Sequence, residues 1–435
     1  MNRLCVSLFT AAAALSLAGC SAGDFGYFER GDDSYPTGLA DMEGGPGSME
    51  GSGSENGNSS AGVVTAGEWR DLDHWVYWSQ LMTGEEFSGM SDKFKLYTDN
   101  LVAMHVTDSD DKPVIGTDVV LYRNGQSVWT AKTDNFGYAY LWVSPFHKLE
   151  QVSSEDLTVK VGGAEMAGHP VLSTWQSGKE VQINEFKKMT ADAQPVISNV
   201  TDIAFIVDAT GSMGDEIAFL KDDLVDILGK ACAQAGNSSA LRTAAVFYRD
   251  VRDTYLTQFD DFKTDYNQTV DFIKYDGVDE QGKRMERQAE GGGDYEEAVH
   301  TALEVSLQNL SWRDDARMRL AIVLLDAPAH YLGMTWYDEQ NKMHKLTADD
   351  VLSSLQQSIG MYAQKGIRVI PILASGGDKN AEFMLRFFGI LTGGTYTFLT
   401  NDSGVGESHI EASVGEYQVE KLNDLIVRLI AAALS

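Results

Sequence analysis

Asp208, Thr210 and Ser212 stand two residues apart in the stretch "DATGSM", directly after the apolar run "IAFIV" at 203–207. A second carboxylate, Asp326, ends another apolar run in "AIVLLDAPAH". Between them in the chain lies "GGGDYEEA", where Gly291, Gly292 and Gly293 let a backbone come close and Asp294 follows at what reads as the opening of a helix. Carboxylates and aliphatic hydroxyls are hard oxygen donors. Such a set, completed by retained waters, suits Mg²⁺, or Mn²⁺ and Ca²⁺ with adjustment. Asp215 and Glu216 fall in the first turn of the next helix, where acids suit the helix dipole and add negative potential beside a cation. The competing reading is plainer: Asp208, Thr210 and Ser212 cap that helix, and Asp326 caps another loop.

Position decides between these readings, and the pattern from residue 195 onward supplies one. Apolar segments alternate with amphipathic ones, as strands alternate with helices. The runs at 203–207 and 320–325 are apolar at every residue rather than every second one. That fits strands buried on both faces, hence an α/β fold with a doubly wound, mostly parallel sheet over 195–435. Ligands of such sheets bind beyond the carboxyl ends of the strands, and both Asp208 and Asp326 should project there. Upstream, 101–194 shows period-two alternation, with Asn124-Gly125 between two alternating runs as a hairpin signal. An all-β sandwich is expected there. Residues 65–100 read as an aromatic-rich connecting segment. Trp69, Trp75, Tyr77 and Trp78 are expected to pack on the next domain, with a carbohydrate platform as the other possibility. Residues 20–64 are acidic and rich in Gly and Ser, a composition that buries too little to fold and serves as a tether.

These residues carry a family resemblance. "DIAFIVDATGSM" resembles the first strand and metal-binding loop of a von Willebrand factor A domain, whose pattern is Asp-x-Ser-x-Ser, a Thr in a second loop and an Asp after the fourth strand. Asp208 and Ser212 match that pattern, Thr210 keeps the hydroxyl of the replaced Ser, and Asp326 matches the last carboxylate. "ILTGGTYTFL" resembles the late part of the same fold. The second loop departs: the family Thr falls near Gly293, and Asp294 is adjacent. "FYRD", "GGGDYEEA" and "DAPAH" together resemble a branch found in hemicentin-like proteins and beside atypical kinases, where an Asp-bearing second loop is normal. The resemblance implies a cation held by Asp208, Thr210, Ser212, Asp294 and Asp326. The layout before residue 195 resembles bacterial Ig-like and carboxypeptidase-regulatory sandwiches.

The chain has Lys+Arg 34 against Asp+Glu 64, a formal charge of −30 over 435 residues. Such a chain repels nucleic acid, and cations and basic partners are favoured. Residues 1–19 read as a signal peptide, with a short basic start and an apolar stretch too short to span a bilayer comfortably. Leu17-Ala18-Gly19-Cys20 resembles the lipobox of bacterial lipoproteins, which implies lipidation at Cys20. With Ser21 rather than Asp following, the resemblance implies the outer membrane. Three cysteines, one of them lipidated and one in the leader, leave no internal disulfide.

Other chemistries fit less well. A haloacid-dehalogenase-like nucleophile wants a second Asp where Thr210 stands, no P-loop motif occurs, and "ATGSMG" is only distantly like a Ser elbow. His330 follows Asp326 and could sit near the site, but it reads as a surface or loop residue rather than a metal ligand, and His300 reads as a helix surface or packing residue. Arg249–Asp250 reads as an ion pair ordering that edge, with a ligand-binding rim as the other reading, and Asp108, Asp110 and Asp111 as a solvated turn rather than a Ca²⁺ site. The expectation is a lipid-anchored envelope protein that binds a protein or glycan partner through a metal site without catalysis. A metal-dependent hydrolase or phosphotransferase using the same carboxylates is the alternative, as is a structural protein with a vestigial site.

Overall fold

Nine residues, Val200–Asp208, form one strand, and all but the first are buried. Its side chains divide by parity: Ile203, Phe205 and Val207 enter one apolar cluster, and Ala204 and Ile206 a second. A strand with no polar face is a strand covered on both sides.

The computed structural model describes residues 64–148, 151–188, 197–236, 240–338, 340–400 and 410–435. The expected leader and nearly all of the tether, with Cys20, lie outside the described residues. In chain order the elements begin with β1 (Thr65–Trp69), α1 (Trp75–Thr83), α2 (Met90–Phe94), β2 (Leu101–Thr107), β3 (Asp118–Arg123), β4 (Gln126–Lys132), β5 (Tyr138–Trp142), β6 (Leu157–Val161), β7 (Ala164–Glu165) and β8 (Ile183–Lys187). Next come β9 (Val200–Asp208), α3 (Gly214–Gln234), β10 (Ala240–Tyr248), β11 (Thr257–Lys263), α4 (Tyr266–Lys274), β12 (Tyr275–Val278), β13 (Arg284–Glu286), α5 (Val299–Gln308), β14 (Met318–Leu325), β15 (Gly333–Tyr337) and β16 (Met343–Thr347). The chain ends with α6 (Ala348–Lys365), β17 (Ile367–Leu373), α7 (Lys379–Thr392), β18 (Tyr396–Leu399), β19 (Glu420–Lys421) and α8 (Leu422–Leu434).

The protein is a mixed α/β structure built on one large sheet, of order β11-β10-β9-β14-β17-β18-β1-β19. Its middle strands, β10, β9, β14, β17 and β18, run parallel to their neighbours. The pairings β11–β10, β18–β1 and β1–β19 are antiparallel. The expectation of a mostly parallel sheet therefore fits its centre and not its edges, because apolar periodicity records burial but not strand direction. Helices α5, α6 and α7 pack into the cluster on one face, through Ala302, Leu355 and Phe387. Helices α3, α4 and α8 pack into the other, through Leu224, Ile273 and Ile426. Helix α6 starts at a capping box of Thr347 and Asp350 and stops at Gly366, whose φ is 67°.

Two smaller sheets precede this layer: β5-β2-β8 and β4-β3-β6-β7. Asn124 and Gly125 turn β3 into β4 with φ of 50° and 77°, the left-handed pair of a tight hairpin. Asp108 accepts from the backbone N–H groups of Asp110 and Lys112, so its carboxylate closes a turn.

Residues 65–100 do more than connect. Strand β1 enters the large sheet between β18 and β19, and α1 buries Trp75 and Trp78. Trp78 stacks on Phe383 of α7, and Trp75 meets Trp142 of β5. The buried rings leave no exposed carbohydrate platform here. Among the described residues, no helix is long and apolar enough to cross a membrane.

Candidate functional site

Asp208 is the last residue of β9, and Asp326 follows the last residue of β14, its neighbour. Tyr248, the last residue of β10, pairs in register with Asp208 on the other side. Three adjacent parallel strands thus bring two carboxyls and a phenol to one edge. All three are buried: Tyr248 and Asp208 are 0% exposed and Asp326 3%. Asp208 Oδ1 accepts from Thr210 N at 2.9 Å and from Thr210 Oγ1 at 2.7 Å. Its Oδ2 is buried with no hydrogen-bond partner. The Tyr248 hydroxyl lies close enough to favour the Asp208 charge, but it closes no well-formed hydrogen bond. Burial, then the neighbouring Asp326 charge, pushes the Asp208 carboxyl up to about 7.

The capping reading of "DATGSM" does not fit this geometry. Residues Gly211–Met213 form a short turn of 3₁₀-helix, and α3 follows at Gly214. Neither receives a side-chain cap bond. Thr210 instead braces Asp208, and Ser212 is exposed at the rim of a cleft of ≈ 460 Å³.

The second loop closes over this edge. Gly211 N donates to Gly291 O at 3.2 Å, and Glu290 N donates to Ala209 O at 3.1 Å. Gly292 has φ of 75°, and a Cβ there would stand 2.9 Å from Glu297 Oε1 and 3.5 Å from Thr210 Cβ. Only glycine fits, and the residue it makes room for is Glu297. That side chain is 4% exposed, and its Oε2 has no partner. Burial, then Asp208, Asp250, Asp253 and Asp326, pushes its carboxyl up to about 10. The sequence reading missed Glu297. The signal was present in "DYEEAV", a second acid directly before the apolar face of α5.

Asp294 does not open a helix: α5 begins only at Val299. Asp294 is exposed on the cleft wall, and its carboxylate pairs with Arg252 at 3.1 Å. Its ligand atom also lies within 4.8 Å of those of Asp250 and His330. His330 is buried, not a surface residue, and its Nε2 meets Asp250 Oδ1 at 2.6 Å. Burial works to raise Asp250, but His330 and a backbone N–H outweigh it and hold the carboxyl below its ordinary value. The expected Arg249–Asp250 ion pair is replaced by other partners: Arg249 faces Glu290 at 3.6 Å, and Asp250 meets His330. Arg249 reaches Gln288 O at 2.9 Å and lies over the Tyr255 ring. His300 is also buried, and burial, then His330, lowers its imidazole to about 4.

Glu216 serves a structural purpose beyond the helix dipole. It is buried in the first turn of α3 and accepts from Ser375 N at 3.1 Å and Ser375 Oγ at 2.6 Å. That tie fixes α3 to the loop after β17. Burial raises its carboxyl above the ordinary value.

The structure therefore gathers Asp208, Thr210 and Asp326 with Glu297, keeps Ser212 at the rim, and turns Asp294 toward a second group. Clustered buried carboxyls of this kind must share protons or meet a cation.

No family model matches the chain. An ariadne-like RING finger protein of Acanthamoeba polyphaga mimivirus is 25% identical over 214 residues, which cover 49% of this chain and 20% of that protein. The chain thus spans about a fifth of that relative's length. Among solved structures, the pilus adhesin SpaC of Lactobacillus rhamnosus GG is 12% identical, with 55% of this chain and 31% of the adhesin covered and a TM-score of 0.33. BatB of Bacteroides thetaiotaomicron is 11% identical, with 54% of this chain and 98% of BatB covered and a TM-score of 0.30.

Proposed function

We propose that this is a lipid-anchored envelope protein whose α/β part, of von Willebrand A type, binds a protein or glycan partner at the Asp208 edge through a divalent cation. The observation that supports this most is Asp208 itself: a fully buried carboxyl with one oxygen unbonded, beside Asp326 and Glu297. Asp208 and Glu297 each keep a buried oxygen without a hydrogen bond, and a hard divalent ion would neutralise carboxyls gathered in low dielectric. Asp208, Thr210, Ser212 and Asp326 would hold it, with Glu297 in the place where the second loop meets them. Mg²⁺ fits this oxygen set, with Mn²⁺ or Ca²⁺ as alternatives. When bound, the ion supplies an electrophilic position that an acidic or hydroxyl oxygen of the partner can complete. Thr210 holds Asp208 in place, the Gly291–Gly292 backbone lets the second loop approach, and Ser212 faces the cleft mouth.

Cys20 would carry the lipid and residues 20–64 the reach from an outer membrane. Calorimetric titration with Mg²⁺ and Mn²⁺ tests the reading. Saturable uptake by the protein, lost in Asp208→Ala and Asp326→Ala, is expected. Uptake unchanged in both variants overturns it, and phosphate-ester turnover that vanishes in Asp208→Ala would replace binding with catalysis.

A further inference from the structure

The group beside the Asp208 edge has a different chemistry. Asp250, His330 and Asp294 present one imidazole and two carboxylates, with ligand atoms all within 4.8 Å of one another. Asp250 follows β10, His330 follows β14 by a short loop, and Asp294 comes from the glycine loop, so three separate segments converge here. Two features exceed what a structural His–Asp pair requires. Asp250 is 1% exposed, and while its Oδ1 meets His330, its Oδ2 is buried without a partner. His300 is 7% exposed, its Nδ1 is buried without a partner, and its ring feels the charges of both His330 and Asp250. Buried polar atoms left unbonded in one place are uncommon and ask for a ligand.

We infer that Asp250, His330 and Asp294 form a second cation site, separate from the Asp208 group, that takes a divalent transition ion of the Zn²⁺ class. Mixed imidazole and carboxylate donors select such ions, whereas the all-oxygen Asp208 group suits Mg²⁺. Metal–ligand bonds of about 2.1 Å place tetrahedral ligand atoms about 3.4 Å apart, so side-chain rotations close the remaining gap. Two existing contacts must give way. Coordination through His330 Nε2 replaces its bond to Asp250, with the ring proton then on Nδ1. The Arg252–Asp294 pair, both partners 40% or more exposed, opens at little cost. The ion would fasten the glycine loop to the ends of β10 and β14, next to the partner cleft.

Co²⁺ is the probe, because its visible absorption reports nitrogen in its shell. The metal-free full chain is titrated with Co²⁺ in excess Mg²⁺, then with Zn²⁺. One equivalent of Co²⁺, displaced by Zn²⁺ and not by Mg²⁺, is expected. Asp208→Asn should leave it intact even if Mg²⁺ uptake fails, while His330→Gln and Asp294→Ala each weaken it by at least ~10-fold. Asp294 is exposed, so its variant keeps the fold if the His330 variant does not. The inference is overturned if the wild type takes up no Co²⁺, if both ligand variants bind like wild type, or if Asp208→Asn abolishes the signal.

Discussion

Asp208 ties pH to stability with a definite sign. Its carboxyl is raised from an ordinary 3.8 to about 7, with burial the larger cause and Asp326 the next. A group raised on folding binds its proton more tightly in the native state. Its contribution is fully present below the unfolded value near 3.8 and is lost as pH rises through about 7. The metal-free protein should therefore lose stability at this site between roughly pH 4 and pH 7. Thermal unfolding of wild type and Asp208→Asn in chelator measures it: the difference between the two should shift in favour of the variant as pH rises. A difference independent of pH would mean that Asp208 titrates normally in the fold. Added Mg²⁺ should flatten the wild-type slope, because the cation replaces the proton as the neutralising charge. Asp208, Thr210, Ser212 and Asp326 were legible in the sequence because they sit where wholly apolar strands end. Glu297 was not, and neither was the pairing of Asp250 with His330. Each lies in a loop, where the direction of a side chain follows from backbone turns that no short periodicity encodes.

At the level of elements, the loop 291–294 shows how a departure from a pattern is accommodated. Its glycines permit close approach, and the structure gives that approach a specific neighbour in Glu297. A Gly292→Ala substitution adds a methyl group at φ of 75° and brings it 2.9 Å from Glu297 Oε1. The loop must shift or Glu297 must leave the Asp208 edge. The expected outcome is Mg²⁺ uptake weakened about 10-fold or more, with far-UV circular dichroism unchanged because the loop lies outside the sheet. Unaltered uptake would show that the second loop takes no part. The same reasoning explains where element prediction held and where it slipped. Helix α6 carries its own signals, Thr347 and Gly366, within its own length. Strand β1 carries none: five residues pair with partners more than 300 positions away, at Tyr396–Leu399, and only the assembled sheet defines them.

At the level of the whole molecule, the two smaller sheets and the α/β layers share one apolar core. One apolar cluster runs from Val119 and Trp142 through Trp75 and Trp78 to Phe383. A buried polar knot lies beside it. Arg386 of α7 is 0% exposed, donates to Asp71 through Nε at 3.0 Å, to Glu382 at 3.2 Å and to the Ser413 carbonyl at 2.6 Å. Its guanidinium also lies over the Trp78 ring. Asp71 belongs to the segment between β1 and α1, so this pair clamps the N-terminal part of the described chain to α7. Removing one partner of such a pair strands a buried charge, at a cost of about 3–5 kcal/mol. Asp71→Ala should therefore lower the melting temperature sharply while leaving the Asp208 edge, on the other side of β17, with its Mg²⁺ affinity. Because the aromatic junction belongs to both parts, tryptophan emission and far-UV circular dichroism should report one coincident transition in wild type. Two separated transitions would show that the smaller sheets unfold on their own, and the shared core would then contribute little to holding the cleft in place.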